Sequence, residues 1–276
     1  MQDIEAPIRF QESKHSHVEP RWPYSGRGHR DPQLGSPAVQ IAGLQVHYPG
    51  APNPAIANAS LQIDCGQRAA IVGHNGAGKS TLLKAMAGLL KPRTGTIRLF
   101  GNPVGACHHQ TAYLPQRSDL DWQFPVSVRQ LVLTGRYVHL GWFRKPRKHD
   151  KECVNLALRR LGIEQLKNRP IGDLSGGQQQ RALLARALVQ EASLFLFDEP
   201  LNGLDEATRD TVDDVLCEHT DRGGTVLVAT HDLGRLSESF DRVIYLSEAH
   251  VKQVEDLHGR RMNTPKHSAC NFRDET

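Results

Sequence analysis

The sequence predicts an α/β fold: a parallel sheet core that carries an inserted helical subdomain. Three observations predict it. A glycine-rich run, Gly73-His74-Asn75-Gly76-Ala77-Gly78-Lys79-Ser80-Thr81, sits between a short apolar strand and a helix. Strand-like and helix-like segments alternate on either side of a helical stretch. A second apolar strand, Leu194-Phe195-Leu196-Phe197, ends in Asp198-Glu199, as expected of a strand buried on both faces that stops at an open crevice.

Residues 1–37 are polar, rich in Pro, Gly, Arg and His, and lack any sustained period of 2 or 3.6, so a disordered extension is expected. Gln40-Ile41-Ala42-Gly43-Leu44-Gln45-Val46 alternates and predicts a strand, and Ala59 to Ile63 predicts another. Ala69-Ala70-Ile71-Val72 reads as a buried strand before the glycine run, and Ser80 to Leu89 as the helix after it. Thr96-Ile97-Arg98-Leu99-Phe100 is a further strand. Val126 to Arg136 and Lys151 to Leu161 place apolar residues at helical spacing, and Gly176 to Val189 is an alanine- and leucine-rich helix. After the strand Leu194 to Phe197 come a helix from Ala207 to His219 and strands at Thr225 to Ala229 and Arg242 to Leu246. From about His250 the apolar pattern fades. The expected organisation is one folded unit over 38–250, its helical subdomain at about 118–189, and a polar, basic tail over 251–276. No internal repeat is visible, so the chain holds one such unit.

Composition narrows the class. Of 276 residues, 38% are hydrophobic and 23% charged, the ordinary balance of a soluble protein. A net charge of +4 does not call for a nucleic-acid partner. No apolar run approaches the ~18–20 residues that span a bilayer, and the first residues lack the pattern of a signal peptide. A cytoplasmic chain is expected, held at any membrane by another protein. Of the five cysteines none forms a C-x-x-C pair, and the odd count argues against a disulfide framework and for a reducing compartment. Cys107-His108-His109 reads as a polar loop, since adjacent residues rarely face one ion and no further ligands follow at zinc-site spacing. His15 and His17 lie in a segment without signs of a core.

The glycine run fits the phosphate-loop pattern G-x-x-x-x-G-K-[ST] at every defined position. Its glycines let the backbone curl so that successive N–H groups point at a phosphate, and the helix N-terminus behind adds partial positive charge. Lys79 supplies a point charge for the β- and γ-phosphates, and Ser80 offers a hydroxyl to Mg²⁺. Asp198 fits a role in organising Mg²⁺ through water, and Glu199 is placed to polarise a water for attack on the γ-phosphate. Nucleoside triphosphate sites need both parts, and this chain has both.

Leu174-Ser175-Gly176-Gly177-Gln178-Gln179-Gln180-Arg181 resembles the signature motif of the ATP-binding cassette (ABC) family. Ser175 and two glycines open a helix there, which exposes N–H groups, a hydroxyl and a helix dipole as a second phosphate-binding surface. The resemblance implies a P-loop NTPase with a RecA-like parallel sheet, an antiparallel β subdomain and a helical insert. It implies ATP and Mg²⁺ as ligands, and a signature turn, Leu174 to Gln178, that closes on ATP held by the opposite subunit. Other positions match one by one. Tyr48 corresponds to the aromatic that stacks on adenine; the residues alone also allow a strand-end core tyrosine. Gln116, in Tyr113-Leu114-Pro115-Gln116, corresponds to the glutamine that senses Mg²⁺ and the attacking water. His231, followed by Asp232, corresponds to the switch histidine at the γ-phosphate. Leu204-Asp205 corresponds to the loop that meets the other subunit, with Asn202-Gly203 replacing the more frequent Ser-Ala.

The resemblance spans roughly Ala38 to Leu246 and goes deeper from Tyr113 to Val128, in Thr134-Gly135-Arg136-Tyr137 and in Leu140-Gly141-Trp142-Phe143. These stretches resemble the manganese, zinc and iron importer branch, and Asp121-Trp122-Gln123-Phe124-Pro125 is the most branch-specific part. Two placements remain open for Trp122, Phe124 and Trp142: a groove gripping the cytoplasmic loops of a membrane partner, or the core of the helical subdomain. The resemblance implies a homodimer of ATPase subunits bound to an integral membrane permease on the cytoplasmic face of the plasma (inner) membrane. An external metal-binding protein would be an indirect partner, and no nucleic acid is implied. Subunits of other importers or of exporters share every catalytic motif. ABC ATPases of DNA repair carry a very long coiled coil, whereas only about 95 residues without sustained heptads separate phosphate loop and signature here. Translation types usually carry two cassettes, and this chain shows one.

Overall fold

The protein is described by a computed structural model over residues 30–106, 108–140, 145–231 and 240–257. Strands β1 (Val39–Val46), β2 (Ile56–Ile63), β4 (Thr94–Leu99) and the two-residue β5 (Asn102–Pro103) form an antiparallel sheet in the order β2-β1-β4-β5. A second sheet runs β10 (His250–Asp256), β9 (Arg242–Ser247), β3 (Arg68–Val72), β8 (Thr225–Thr230), β7 (Leu194–Asp198), β6 (Thr111–Leu114). It is parallel except for its edge strand β10.

The parallel sheet is buried on both faces, and alternation along each strand sorts its side chains between two cores. Ala69, Ile71, Leu194, Leu196, Leu227 and Ala229 face the cluster that contains Leu82, Leu83 and Met86 of α1 (Lys79–Met86) and the antiparallel sheet. Ala70, Val72, Phe195, Phe197, Val226 and Val228 face the other cluster. That cluster holds α2 (Val128–Leu133), α4 (Lys148–Arg160), α5 (Gly176–Leu188) and α6 (Glu206–Asp221) through residues such as Val132, Leu158, Leu184 and Leu216. Helices α1 and α5 therefore lie against opposite faces of one sheet.

The helical insert is built from short, capped pieces. Ser127 and Gln130 form a capping box at the start of α2. The sequence predicts one helix from Val126 to Arg136; α2 instead stops at Leu133, and α3 (Tyr137–Leu140) follows after a 3₁₀ turn. At that turn a Cβ on Gly135 would meet the carbonyl of Arg186 and Cγ2 of Val189, so the absent side chain is what lets α5 pass so close. Trp142 and Phe143 lie outside the described residues.

Three expectations need correction. Residues 30–37, expected to be part of a disordered extension, are fixed on the antiparallel sheet: Arg30 N–H bonds the Ala106 carbonyl, Gln33 N–H bonds that of Phe100, and Asn102 Nδ2 donates to the carbonyl of Asp31. These are main-chain contacts, which apolar patterning does not register. Residues 251–256, expected as tail, belong to β10 and pair antiparallel with β9 from His250↔Ser247 to Asp256↔Arg242. Most of its side chains are exposed, so it too lacks an apolar signature. Cys65 is disulfide-bonded, against the expectation of reduced thiols throughout, while Cys153 and Cys217 are free.

Candidate nucleotide site

Parallel register brings the site together. Val72 pairs with Thr230, Asp198 with Ala229, and Leu114 with Phe197, so β3, β8, β7 and β6 end along one edge. The residues just past those ends are Gly73, His231, Glu199 and Gln116. Four segments far apart in sequence thus deliver their polar groups to the carboxyl edge of the sheet, where open α/β sheets bind ligands.

The loop Gly73–Lys79 curls at the end of β3. Gly78 adopts φ 105, and a Cβ there would lie 2.6 Å from the Ala55 carbonyl oxygen and 2.7 Å from Ile56 Cδ1. No L side chain fits both that backbone and that space. The buried Lys79 folds back so that Nζ donates to the carbonyls of Gly73 (2.7 Å) and His74 (3.2 Å), which holds the curl. Ala77 is buried, while His74, Asn75 and Gly76 form the exposed lip. Tyr48, 40% exposed, places its hydroxyl 3.2 Å from Thr81 Oγ1 in the first turn of α1.

Asp198 ends β7 and is almost fully buried. Burial pushes its pKa up, while a hydrogen bond from the Ser80 hydroxyl works against that rise. Its Oδ2 is buried without a hydrogen-bond partner. An orphaned carboxylate oxygen beside a serine hydroxyl is the hard oxygen set that Mg²⁺ takes, so Ser80 and Asp198 fit that ion.

Glu199 sits at φ 50, in the left-handed region, and this turns its carboxylate back toward the sheet edge. Oε2 accepts from Gln116 Nε2 at 3.1 Å and from Asn202 Nδ2, and Oε1 lies 3.6 Å from Nδ1 of the exposed His231. The three residues expected from sequence to act in catalysis thus converge on one carboxylate. Asp232 lies outside the described residues. Two supports were missed in the sequence. Asn202 stands in the sequence only as a departure from Ser, and Gln180, 1% exposed, donates to the carbonyl of Pro200 at 2.9 Å and pins the turn that carries Glu199. A buried glutamine in a polar run, Gln178-Gln179-Gln180, was the available signal.

The signature residues stand elsewhere. Ser175 caps α5, accepting from Gln178 N–H, while Gln178 Oε1 accepts from Ser175 N–H at 3.0 Å. Leu174 is buried as the anchor of this turn, Ser175 is exposed, and Gly176 and Gly177 are half-buried. A Cβ on Gly177 would lie 3.0 Å from the Gly203 carbonyl oxygen, so the motif packs against the turn after β7. Asp205 caps α6 through Thr208 (2.9 Å to N) and pairs with Arg181 at 2.7 Å. Its carboxyl is held below the usual range, first by the Thr208 hydroxyl and then by the Thr208 N–H. Lys84 on α1 pairs with Asp119 at 2.7 Å and so ties the loop helix to the segment just after Gln116.

A phosphate-loop strand and an acid-tipped strand, separated only by β8, define a P-loop NTPase. The ABC transporter family profile matches residues 56–202, and the chain belongs to that family of ATPases. Curated relatives include the manganese transport system ATP-binding protein MntB of Halalkalibacterium halodurans, 43% identical over 77% of this chain and 84% of the relative. The zinc transport system ATP-binding protein TroB of Treponema pallidum is 45% identical over 76% of this chain and 78% of its own. Among solved structures, the dimeric post-hydrolysis state of the cassette MJ0796 bound to ADP and Pi aligns with a TM-score of 0.72 at 26% identity, covering 80% of this chain and 99% of that one.

Proposed function

We propose that this chain is the ATP-hydrolysing subunit of an importer that carries a transition-metal ion, manganese, zinc or iron, through a separate membrane permease. The observation that carries the hydrolytic part is the Gln116–Glu199–His231 constellation beside Asp198 and Ser80. Glu199 is the general base for a water that attacks the γ-phosphate. Gln116 and Asn202 aim its carboxylate, and His231, on the far oxygen, contacts the γ-phosphate. Lys79 and the N–H groups of Gly73–Thr81 hold the β- and γ-phosphates, and Tyr48 stacks on the adenine. Mg²⁺ at Ser80 and Asp198, with Gln116 nearby, would neutralise phosphate charge.

Ser175, Gly176 and Gly177 supply the second phosphate surface, and α5 lies on the opposite sheet face from α1. That placement supports two copies arranged head to tail, each ATP lying between Lys79 of one and Ser175 of the other, with Asp205 at the contact. ATP would then favour the closed pair, and hydrolysis would release it.

The metal cargo rests on the manganese and zinc relatives. The surface for a permease rests on Phe124, 59% exposed, and Tyr137, 52% exposed. Trp122 takes the other placement: it is half-buried against the helical core and donates to the Arg117 carbonyl at 3.0 Å. No helix among the described residues is long and apolar enough to cross a membrane; a peripheral place on the cytoplasmic face of the membrane rests on the transport-system relatives. The test is the manganese, zinc and iron content of cells lacking this chain under metal limitation. Selective loss of one metal, restored by wild type and not by Glu199→Gln, is expected. Unchanged content of all three would remove the metal-import reading.

A further inference from the structure

Away from the nucleotide site, three metal-ligating side chains meet in the helical subdomain. His149 and Cys153 are four residues apart on α4 and so share one helix face, and Glu191 follows α5. Their ligand atoms all lie within 4.8 Å of one another. Cys153 Sγ is 3.5 Å from His149 Nε2 and 3.7 Å from Glu191 Oε1. A tetrahedral zinc ion, with Zn–S of about 2.3 Å and Zn–N and Zn–O of about 2.0–2.1 Å, sets its sulfur about 3.6 Å from each of the other two ligand atoms. The two sulfur edges of the trio are those of such a coordination shell.

We infer that His149, Cys153 and Glu191 form a binding site for a borderline-soft divalent ion of the zinc class, separate from the Mg·ATP site. One nitrogen, one sulfur and one carboxylate oxygen suit zinc, and leave a fourth position for water. A thiolate ligand disfavours the harder Mn²⁺ and Mg²⁺.

The surroundings favour a cation. Glu191 divides its two oxygens: Oε2 takes Arg136 Nη1 at 2.6 Å, and Oε1 faces the thiol. Metal binding therefore leaves the Arg136 pair intact, and Arg136 acts as the outer partner that orients the carboxylate. Arg136 also pairs with the buried Asp150 at 3.0 Å, so one guanidinium serves two carboxylates and the group keeps net negative charge. On binding, the S–H bond breaks, its proton leaves to solvent, and a sulfur–metal bond forms with no redox change. Cys153 is buried, but His149 is exposed and gives the ion a route in. Glu191 holds φ 52 at the end of α5, a backbone state that glycine or asparagine usually supplies. A side chain kept there at conformational cost is consistent with use of its carboxylate.

The test is titration of the full-length, nucleotide-free chain with Co²⁺, followed by displacement with Zn²⁺. Wild type is expected to develop thiolate-to-cobalt charge-transfer absorption with tetrahedral visible bands, abolished by Zn²⁺. Cys153→Ser should lose the charge-transfer band, and His149→Ala should weaken binding at least about tenfold. Cys217→Ser, at an exposed free thiol, should match wild type. Circular dichroism checks each fold; should Cys153→Ser fail to fold, His149→Ala at its exposed position decides. Absence of a thiolate band in wild type, or its persistence undiminished in both ligand variants, would overturn the site and leave a hydrogen-bonded trio.

Discussion

Arg136 joins three elements of the helical subdomain, and Arg136→Met tests how that subdomain is held. The guanidinium is 3% exposed. It donates to Asp150 (3.0 Å), to Glu191 (2.6 Å) and to the Val189 carbonyl (2.8 Å), linking the turn before α3 to α4 and to the end of α5. Met nearly fills the volume but leaves the buried Asp150 charge without its cation. Removing one partner of a buried pair costs about 3–5 kcal/mol. Glu191 is partly exposed and can rehydrate, so the lower end, about 3 kcal/mol, is expected. Against total stabilities of about 5–15 kcal/mol this is large. Urea unfolding measures it. Arg136→Met/Asp150→Asn, which keeps an acceptor for the Arg147 N–H, should recover about 1–2 kcal/mol of the loss. The pH dependence gives an independent check. Burial acts to raise the Asp150 pKa, but the Arg147 N–H and Arg136 outweigh it, and the net shift is downward from 3.8. The folded state thus binds fewer protons than the unfolded chain, so this stabilisation is present above 3.8 and is lost as pH falls through the lower folded value. In Arg136→Met that acid-dependent loss should shrink. A destabilisation below about 1 kcal/mol, with no recovery in the double variant, would refute the reasoning.

Three further outcomes are expected. Glu199→Gln retains an oxygen for Gln116 and Asn202 but no longer accepts a proton, so kcat for phosphate release should fall about 10²–10⁴-fold with ATP binding kept; full turnover would remove Glu199 as base. Gly78→Ala should abolish ATP binding and lower stability by at least about 1–3 kcal/mol, since it combines positive-φ strain with a clash on the Ala55 carbonyl; calorimetry of binding and unfolding reads both. His219, stacked on Phe195 at 3.9 Å, has its pKa lowered by burial to about 4 from 6.5. The unfolded chain binds more protons between those values, so stability should drop by about 3 kcal/mol from pH 6.5 to 4, and His219→Phe should flatten that slope in urea unfolding.

Much of the candidate nucleotide site is legible in the sequence because its residues are contiguous. Gly73 to Thr81 carries its own turn glycines, cation and hydroxyl, and Leu194 to Glu199 carries both a buried strand and its acids. Segments held by main-chain or edge contacts were not legible. Residues 30–37 and β10 are polar and exposed, and periodicity reports burial, not backbone pairing. β6 went unrecognised as a strand, since four residues are too short a window for a period. Gln180 and Asn202 were hidden for a related reason: a polar side chain does not announce which carbonyl or carboxylate it will meet.

By itself, then, the sequence determined the local chemistry: where the backbone curls, where a helix begins, which strand ends in acids. Those choices depend on neighbours within a few residues and on alternation along a strand. The tertiary structure decided who meets whom. Only the parallel register of β6, β7, β8 and β3 sets Gln116, Glu199 and His231 around one carboxylate. Only the two-faced burial of that sheet puts α1 and α5 on opposite sides. Only the packing of α4 against the end of α5 brings Cys153 to Glu191. Such contacts join residues far apart in the chain, and their geometry is fixed by the close packing of the whole core rather than by any segment's own preference.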